Sequence, residues 1–222
     1  MKITVIDYGL SNLLSVQHAF RHFGAEVELV NTPDAVLAAD ALVLPGVGAF
    51  RDGMAGLARL GLIEAIQQKT AEGTPLLGIC LGMQMLFDES EEFGTHRGLG
   101  LIPGRVVKIP DADVDGAPQR VPHISWQPLY PAGGREDFSG TALAGVTPGQ
   151  ECYFIHSYEA KPAAEKDRLA DTMYGGRPVC AAAMHGNVLG CQFHPEKSGP
   201  VGLSIIEHYL HCLLYTSPSP RD

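Results

Sequence analysis

Thr74-Pro-Leu-Leu-Gly-Ile-Cys80-Leu-Gly-Met-Gln84-Met-Leu86 is the stretch whose reading decides the fold. Pro75 to Ile79 is a short apolar run suited to a buried parallel strand, and Met83 to Phe87 reads as the start of a helix. Gly78-Ile79-Cys80-Leu81-Gly82 is therefore the turn between them, a Gly-x-Cys-x-Gly elbow. A sharp strand-to-helix turn needs small residues on both sides because the backbone doubles back, and it lifts the central side chain above the sheet edge. A cysteine placed there meets the free N–H groups and dipole of a helix N-terminus, which favour thiolate and can stabilise an oxyanion. A buried core cysteine is the ordinary alternative. The flanking glycines favour a nucleophile.

The segments on either side extend an α/β pattern. Ile3 to Ile6 is the first strand, followed by the capping loop Asp7 to Asn12 and a helix with an apolar stripe at Leu13, Val16, Phe20 and Phe23; Gly24 is placed to end it. Val27 to Val30 and Ala41 to Leu44 are the next strands, with a short helix beginning near Pro33 between them. Pro45-Gly46-Val47-Gly48 then forms a tight loop at a strand's C-terminal end, the edge where open α/β sheets bind ligands. Ile63 to Ala71 reads as helix. From Gly104 onward the chain becomes richer in β-like runs: Val106–Ile109, Val121–Trp126, Tyr153–Tyr158, Leu169–Tyr174, Val179–Met184 and Val188–Phe193. Asp111 to Gln119 and Pro131 to Asp137 read as exposed loops, and Tyr174-Gly-Gly-Arg-Pro178 as a hairpin turn. Helix resumes over Val201–Leu210. The expected architecture is an open, mostly parallel twisted sheet flanked by helices, with a more β-rich C-terminal half.

The 222 residues suit one α/β domain, and 45% hydrophobic with 18% charged residues is ordinary for a globular enzyme. The net charge of −9 and the lack of any basic run argue against a nucleic-acid partner. Cys80, Cys152, Cys180, Cys191 and Cys212 are scattered without Cys-x-x-Cys spacing, so neither a zinc site nor a disulfide framework is indicated, and a reducing cytoplasm is the natural compartment. No metal, cofactor or membrane partner is expected. The final residues, 212–222, break from the preceding helical pattern and resemble the in-frame translation of a sequencing adapter. They are expected to be a non-native tail on a single domain spanning residues 1–211.

A cysteine nucleophile needs a general base, and that base an orienting acceptor. Gly190-Cys-Gln-Phe-His194-Pro-Glu196 supplies both at the end of the last strand. If that strand runs parallel to the Pro75 strand, His194 lies on the same sheet edge as Cys80. Pro195 sets the bend that lets Glu196 hold one ring nitrogen while the other faces sulfur.

With these motifs the chain resembles the class I (triad) glutamine amidotransferases, and within them the glutaminase subunits of imidazole glycerol phosphate synthase. The likeness runs from residue 2 to about 210. It is carried by Ile6-Asp-Tyr-Gly9 with Asn12-Leu13, Leu44-Pro-Gly-Val-Gly-Ala-Phe50, Leu77-Gly-Ile-Cys-Leu-Gly-Met-Gln84, Gly98-Leu-Gly-Leu-Ile-Pro-Gly104, Val121-Pro-His123, Tyr153-Phe-Ile-His-Ser-Tyr158 and Gln192-Phe-His-Pro-Glu-Lys-Ser-Gly199. The resemblance implies that Cys80, His194 and Glu196 form the triad acting on L-glutamine. Backbone amides of Leu81 and of Gly46 or Val47 are the expected oxyanion donors. Gln84, Gly48 and the backbone at Ser157 and Tyr158 are expected to bind substrate. It also implies a separate (β/α)-barrel cyclase subunit, a heterodimer partner that takes ammonia and makes imidazole glycerol phosphate and aminoimidazole carboxamide ribonucleotide in histidine biosynthesis. His123, Trp126, Tyr153 and Lys197 are the expected interface residues.

The chain departs from the family pattern at Ser11 and Ser125, where glycine is usual, and at Gln127, where asparagine is usual. The glycine positions matter only if their backbone needs positive φ. A different triad amidotransferase, of anthranilate or pyridoxal phosphate synthesis, is disfavoured by Asp7-Tyr8-Gly9, Val121–Trp126 and Lys197-Ser198-Gly199. A non-catalytic subunit on the same scaffold would be expected to lack Cys80, His194 or Glu196.

Overall fold

In a computed structural model the chain is described over residues 2–216, with side chains to residue 213. An eight-stranded sheet organises it, in the order β2-β1-β3-β4-β14-β13-β12-β9. The first four strands in sequence are β1 (Lys2–Ile6), β2 (Glu26–Val30), β3 (Leu42–Gly46) and β4 (Leu76–Cys80). They run parallel to one another and to β14 (Val188–Cys191), which lies beside β4. Antiparallel β13 (Arg177–His185), β12 (Arg168–Tyr174) and β9 (Tyr130–Pro131) complete the sheet. A four-stranded sheet is built from β5 (Phe87–Ser90), β6 (His96–Arg97), β7 (Ile102–Lys108) and β11 (Tyr158–Pro162), and β8 (His123–Pro128) pairs only with β10 (Glu151–His156).

Both faces of the parallel strands are covered, so they read as unbroken apolar runs rather than alternating ones. All five residues of β4 are buried. The two-residue repeat of a strand divides the core: Val5, Val43, Leu77, Ile79 and Leu189 face helices α1 (Leu13–His22) and α6 (Gly199–Thr216). Ile6, Leu42, Leu44, Leu76 and Val188 face α2 (Pro33–Leu37), α3 (Phe50–Arg59), α4 (Leu62–Ala71) and α5 (Leu81–Met85). In α1 the residues at helical spacing do the packing, with Val16 and Phe20 fully buried. Gly24 follows at φ 74°, its N–H on the Arg21 carbonyl, a left-handed stop.

Three expectations needed correction. The helix after the elbow is only five residues long, and the chain returns to strand at Phe87, because Leu86 and Phe87 turn into the second sheet. The run Tyr153–Tyr158 is two strands: it breaks at Ser157, β10 pairing with β8 while β11 pairs with β7. The C-terminal helix does not stop before Cys212 but continues to Thr216; residues 217–222 of the expected tail lie outside the described residues. Helix α3 was not among the expected elements, although Phe50, Met54 and Leu57 recur at helical spacing; Gly53 and Gly56 lower its intrinsic helix propensity. Both glycines are buried, Gly53 against the Met85 and Leu81 side chains and Gly56 against the backbone and ring of Tyr8.

The elbow glycines are fixed by close packing. A methyl group at Gly82 would fall on the carbonyl oxygen of Leu44, and one at Gly78 would lie 2.9 Å from the Gly82 carbonyl carbon. At Gly82 the obstacle is backbone that cannot turn aside, and at Gly78 the Leu86 side chain at 2.8 Å crowds the site as well. Gly82→Ala is therefore expected to destabilise the fold by about 1–3 kcal/mol or more, the range for overpacking a core, read as a lowered midpoint of chemical unfolding. An unchanged midpoint would mean that α5 is free to lift off β3.

Candidate active site

The parallel register sets three chain segments side by side at one rim: Gly46 pairs with Cys80, and Cys191 with Ile79. Cys80 closes β4 at φ 55° and ψ −111°, an unfavourable backbone for a residue with a Cβ, which costs roughly 1–3 kcal/mol and persists only where the surroundings hold it. Its side chain is turned up at the sheet edge and 7% exposed. The sulfur lies 3.8 Å from the Ile155 carbonyl oxygen and 3.8 Å from Nε2 of Gln192.

His194 is pinned by its backbone. Its N–H donates to the Tyr153 carbonyl at 3.0 Å, and its own carbonyl accepts from Ser198 Oγ at 2.6 Å, while Ser198 Oγ accepts the Tyr153 N–H at 3.0 Å. The ring's Nδ1 donates to Glu196 Oε1 at 2.7 Å, with side-chain exposures of only 3% and 2%. That leaves Nε2 free of Glu196, and His194 and Cys80 line the same cavity. Burial alone would hold the imidazole below its ordinary value. The hydrogen bonds and charges of Cys80 and Glu196 override it and push the ring up to about 10. Such a ring keeps a proton taken from the thiol.

A cavity of about 240 Å³ opens beside the sulfur. Val47, Gly48, Leu81, Gln84, Ser157, Tyr158 and His194 line it, as the sequence suggested, together with Glu92, Pro122, Ile155 and His156, which it did not. Gln84 donates from Nε2 to the Tyr158 carbonyl and to Gln192 Oε1, both at 3.0 Å, so both amide hydrogens are spent and only its oxygen is left, an acceptor. Glu92 caps α3 by accepting the Phe50 N–H at 2.7 Å and brings a carboxylate to the cavity wall. In sequence it sits in the acidic run Asp88-Glu-Ser-Glu-Glu92, which reads as a solvated surface; its role depends on a contact 42 residues away.

Of the expected oxyanion donors, the Leu81 N–H belongs to the first turn of α5 and has no partner within the helix. The Val47 N–H is committed to the Leu10 carbonyl at 2.9 Å, so it becomes available only if the Gly46–Val47 peptide rotates. Gly46 is walled in by the Tyr8 hydroxyl and the Leu81 side chain, which leaves no room for a Cβ.

The expected interface residues divide. Trp126 is 49% exposed and shares the outer face of the β8–β10 pair with Ile124 and Ile155, 54% and 40% exposed; Tyr153 is half-buried with its ring 6.0 Å from that of Trp126. Lys197 is exposed beside the triad. His123 must be removed from this group. It points inward, wholly buried, stacked on Tyr174 at 3.9 Å and on Phe154 at 5.4 Å, because the two-residue repeat of β8 turns His123 away from the face that carries Ile124 and Trp126. Neither Ser11 nor Ser125 has positive φ, so serine is free of backbone strain at both positions. Among the described residues no group of His, Cys, Asp or Glu is arranged to hold a metal ion, and no helix is long and apolar enough to cross a membrane.

The profile of the family described as "Glutamine amidotransferase class-I" matches residues 4–211. The chain belongs to that family. Among proteins similar to this amidotransferase is imidazole glycerol phosphate synthase subunit HisH 1 of Legionella pneumophila (strain Lens), 52% identical over 208 residues, covering 94% of this chain and 98% of that protein. The HisH subunit of Geobacillus thermodenitrificans is 47% identical over 94% of each. Solved structures share the fold at lower identity: a glutamine amidotransferase at TM-score 0.70 and 19% identity, covering 95% of this chain and 98% of that one. PurLQS from Thermotoga maritima aligns at TM-score 0.68 and 20% identity, over 96% of this chain and 98% of that one.

Proposed function

We propose that this amidotransferase is the glutaminase subunit of an imidazole glycerol phosphate synthase, and that it passes ammonia to a separate (β/α)-barrel cyclase subunit. The observation that carries the catalytic part is that Cys80 and His194, more than a hundred residues apart in the chain, line one cavity, with Glu196 bound to the far side of the His194 ring.

In this reading glutamine enters with its α-ammonium toward Glu92 and the Gln84 oxygen and its main-chain groups along Ser157 and Tyr158. The Cys80 sulfur, its proton already held by His194, attacks the side-chain carbonyl carbon, forming a C–S bond and an oxyanion. The Leu81 N–H receives that oxyanion, joined by the Val47 N–H after its peptide turns from Leu10. Collapse breaks the C–N bond while His194 returns the proton to the leaving nitrogen, which departs as ammonia and leaves a thioester. Water then attacks the thioester, His194 takes a proton from it, and the broken C–S bond restores the thiol and releases glutamate. Glu196 remains ionised and orients the ring.

Ammonia in neutral water is mostly ammonium, which is no nucleophile, so a sheltered transfer is needed. The apolar patch of Ile124, Trp126 and Ile155, the last of which lines the cavity, supports a partner docked over the exit. The likeness to subunits named HisH indicates which partner.

The test is glutamate release with and without a cognate cyclase and its ribonucleotide ligand. Little activity alone and strong stimulation in the loaded complex are expected, in keeping with a Val47 N–H held by Leu10. Full activity alone, indifferent to the cyclase, would overturn the partner assignment.

A further inference from the structure

Gln192 lies beyond the triad, wholly buried, directly after β14. Its main-chain N–H is tied to the Ala181 carbonyl at 2.8 Å, so the side chain leaves a rigid strand end. The direction of its carboxamide follows from its neighbours. The Tyr158 carbonyl can only accept, so the Gln84 atom 3.0 Å from it is Nε2. That nitrogen also donates to Gln192, so the Gln192 atom facing it, 3.0 Å away, is Oε1. The remaining end, Nε2, then faces Cys80 Sγ at 3.8 Å, within reach of a hydrogen bond to sulfur.

The anchor of this chain lies deeper. The same Tyr158 carbonyl accepts from His156 Nδ1 at 2.8 Å, which fixes that ring's tautomer and makes its Nε2 an acceptor. His123 Nδ1 donates to it at 3.0 Å, and His123 Nε2 in turn accepts from Ser125 Oγ at 2.9 Å. Gln127 Nε2 donates to that hydroxyl at 3.2 Å. Burial pushes His123 down to about 4 and His156 to about 3, so both rings keep one proton and every bond keeps its direction. His123, Ser125 and Gln127 are alternate residues of β8, the strand whose other face carries Ile124 and Trp126.

We propose that Gln192 is a positioning residue for the nucleophile: locked by Gln84 and anchored through the Tyr158 carbonyl to the buried His156 and His123 and the partly buried Ser125, its amide N–H holds and stabilises the Cys80 sulfur as thiolate. This rests on the assignment of Cys80 as nucleophile. A donor aimed at sulfur stabilises the charged form over the thiol and limits the sulfur to the rotamer that faces His194. The other titratable groups about the sulfur are His194 with Glu196 behind it, the Tyr8 phenol, and His156, Tyr158 and Glu92 in the cavity wall.

The pH dependence of iodoacetamide alkylation of Cys80 tests this, followed by mass spectrometry of the Cys80 peptide in the full chain. Gln192→Met keeps length and removes the amide; Gln192→Glu keeps shape and an acceptor for Gln84 but removes the N–H₂. In Gln192→Met, with those other groups unchanged, the alkylation midpoint is expected to rise by about one pH unit, a tenfold change in the thiol–thiolate equilibrium, and in Gln192→Glu it should rise further because a carboxylate then faces the sulfur. In the cyclase complex, kcat should fall about tenfold with the glutamine KM changed far less. A purely structural role would lower the unfolding midpoint and leave the alkylation midpoint in place. Folded variants of either kind with the wild-type alkylation midpoint would overturn the proposal. A Cys80→Ala control separates the two assignments: if it still releases glutamate, the nucleophile assignment fails, whereas an inert Cys80→Ala beside unaltered Gln192 variants overturns only this inference.

Discussion

Cys80→Ala is expected to bring glutamate release down to background, about 10⁴-fold or more below wild type, as when the nucleophile of a catalytic unit is removed. Among the described residues no other cysteine lines the cavity. Cys152, Cys180 and Cys191 are buried, and burial raises the thiol of each, Cys152 and Cys180 to about 12. The same position gives a second signature in stability. Because Cys80 sits at φ 55°, Cys80→Gly should lose activity equally and yet unfold at higher denaturant than Cys80→Ala, since glycine adopts that backbone without a Cβ penalty. Activity and unfolding measured on the two variants together check both points. Persisting glutaminase in either would remove sulfur from the mechanism.

His194→Ala is expected to be nearly as damaging, about 10³–10⁴-fold in kcat, because one ring serves as base toward sulfur and as acid toward ammonia. Its effect on stability carries a definite pH sign. The folded ring holds its proton up to about 10, against an ordinary value of 6.5. The protonated ring's contribution to stability is therefore fully present below pH 6.5 and is lost as pH rises through about 10. The unfolding free-energy difference between wild type and His194→Ala should shrink across that window. A difference that grew with pH would mean that the folded ring favours its neutral form.

The candidate catalytic centre was legible in sequence because each of its members is bound to a local backbone event. Cys80 is flanked by glycines that β3 and α5 force to be small, and His194 is followed by the proline that brings Glu196 under its ring. The parallel pairing of β14 with β4, which the triad required, is present. What remained hidden depends on contacts across the chain. Glu92 was lost in an acidic run. The splitting of Tyr153–Tyr158 at Ser157 arises from pairing with two different sheets, which no local propensity records. His123 was misplaced by its nearness to Trp126, although strand alternation puts adjacent residues on opposite faces.

The most direct test uses 6-diazo-5-oxo-L-norleucine, an electrophile shaped like glutamine that is captured by a nucleophile only within the glutamine pocket. A single adduct is expected, on the peptide containing Cys80, absent from Cys80→Ala, formed far more slowly in His194→Ala, and prevented by glutamine. An adduct on another residue, or labelling of Cys80 at the same rate without His194, would contradict it.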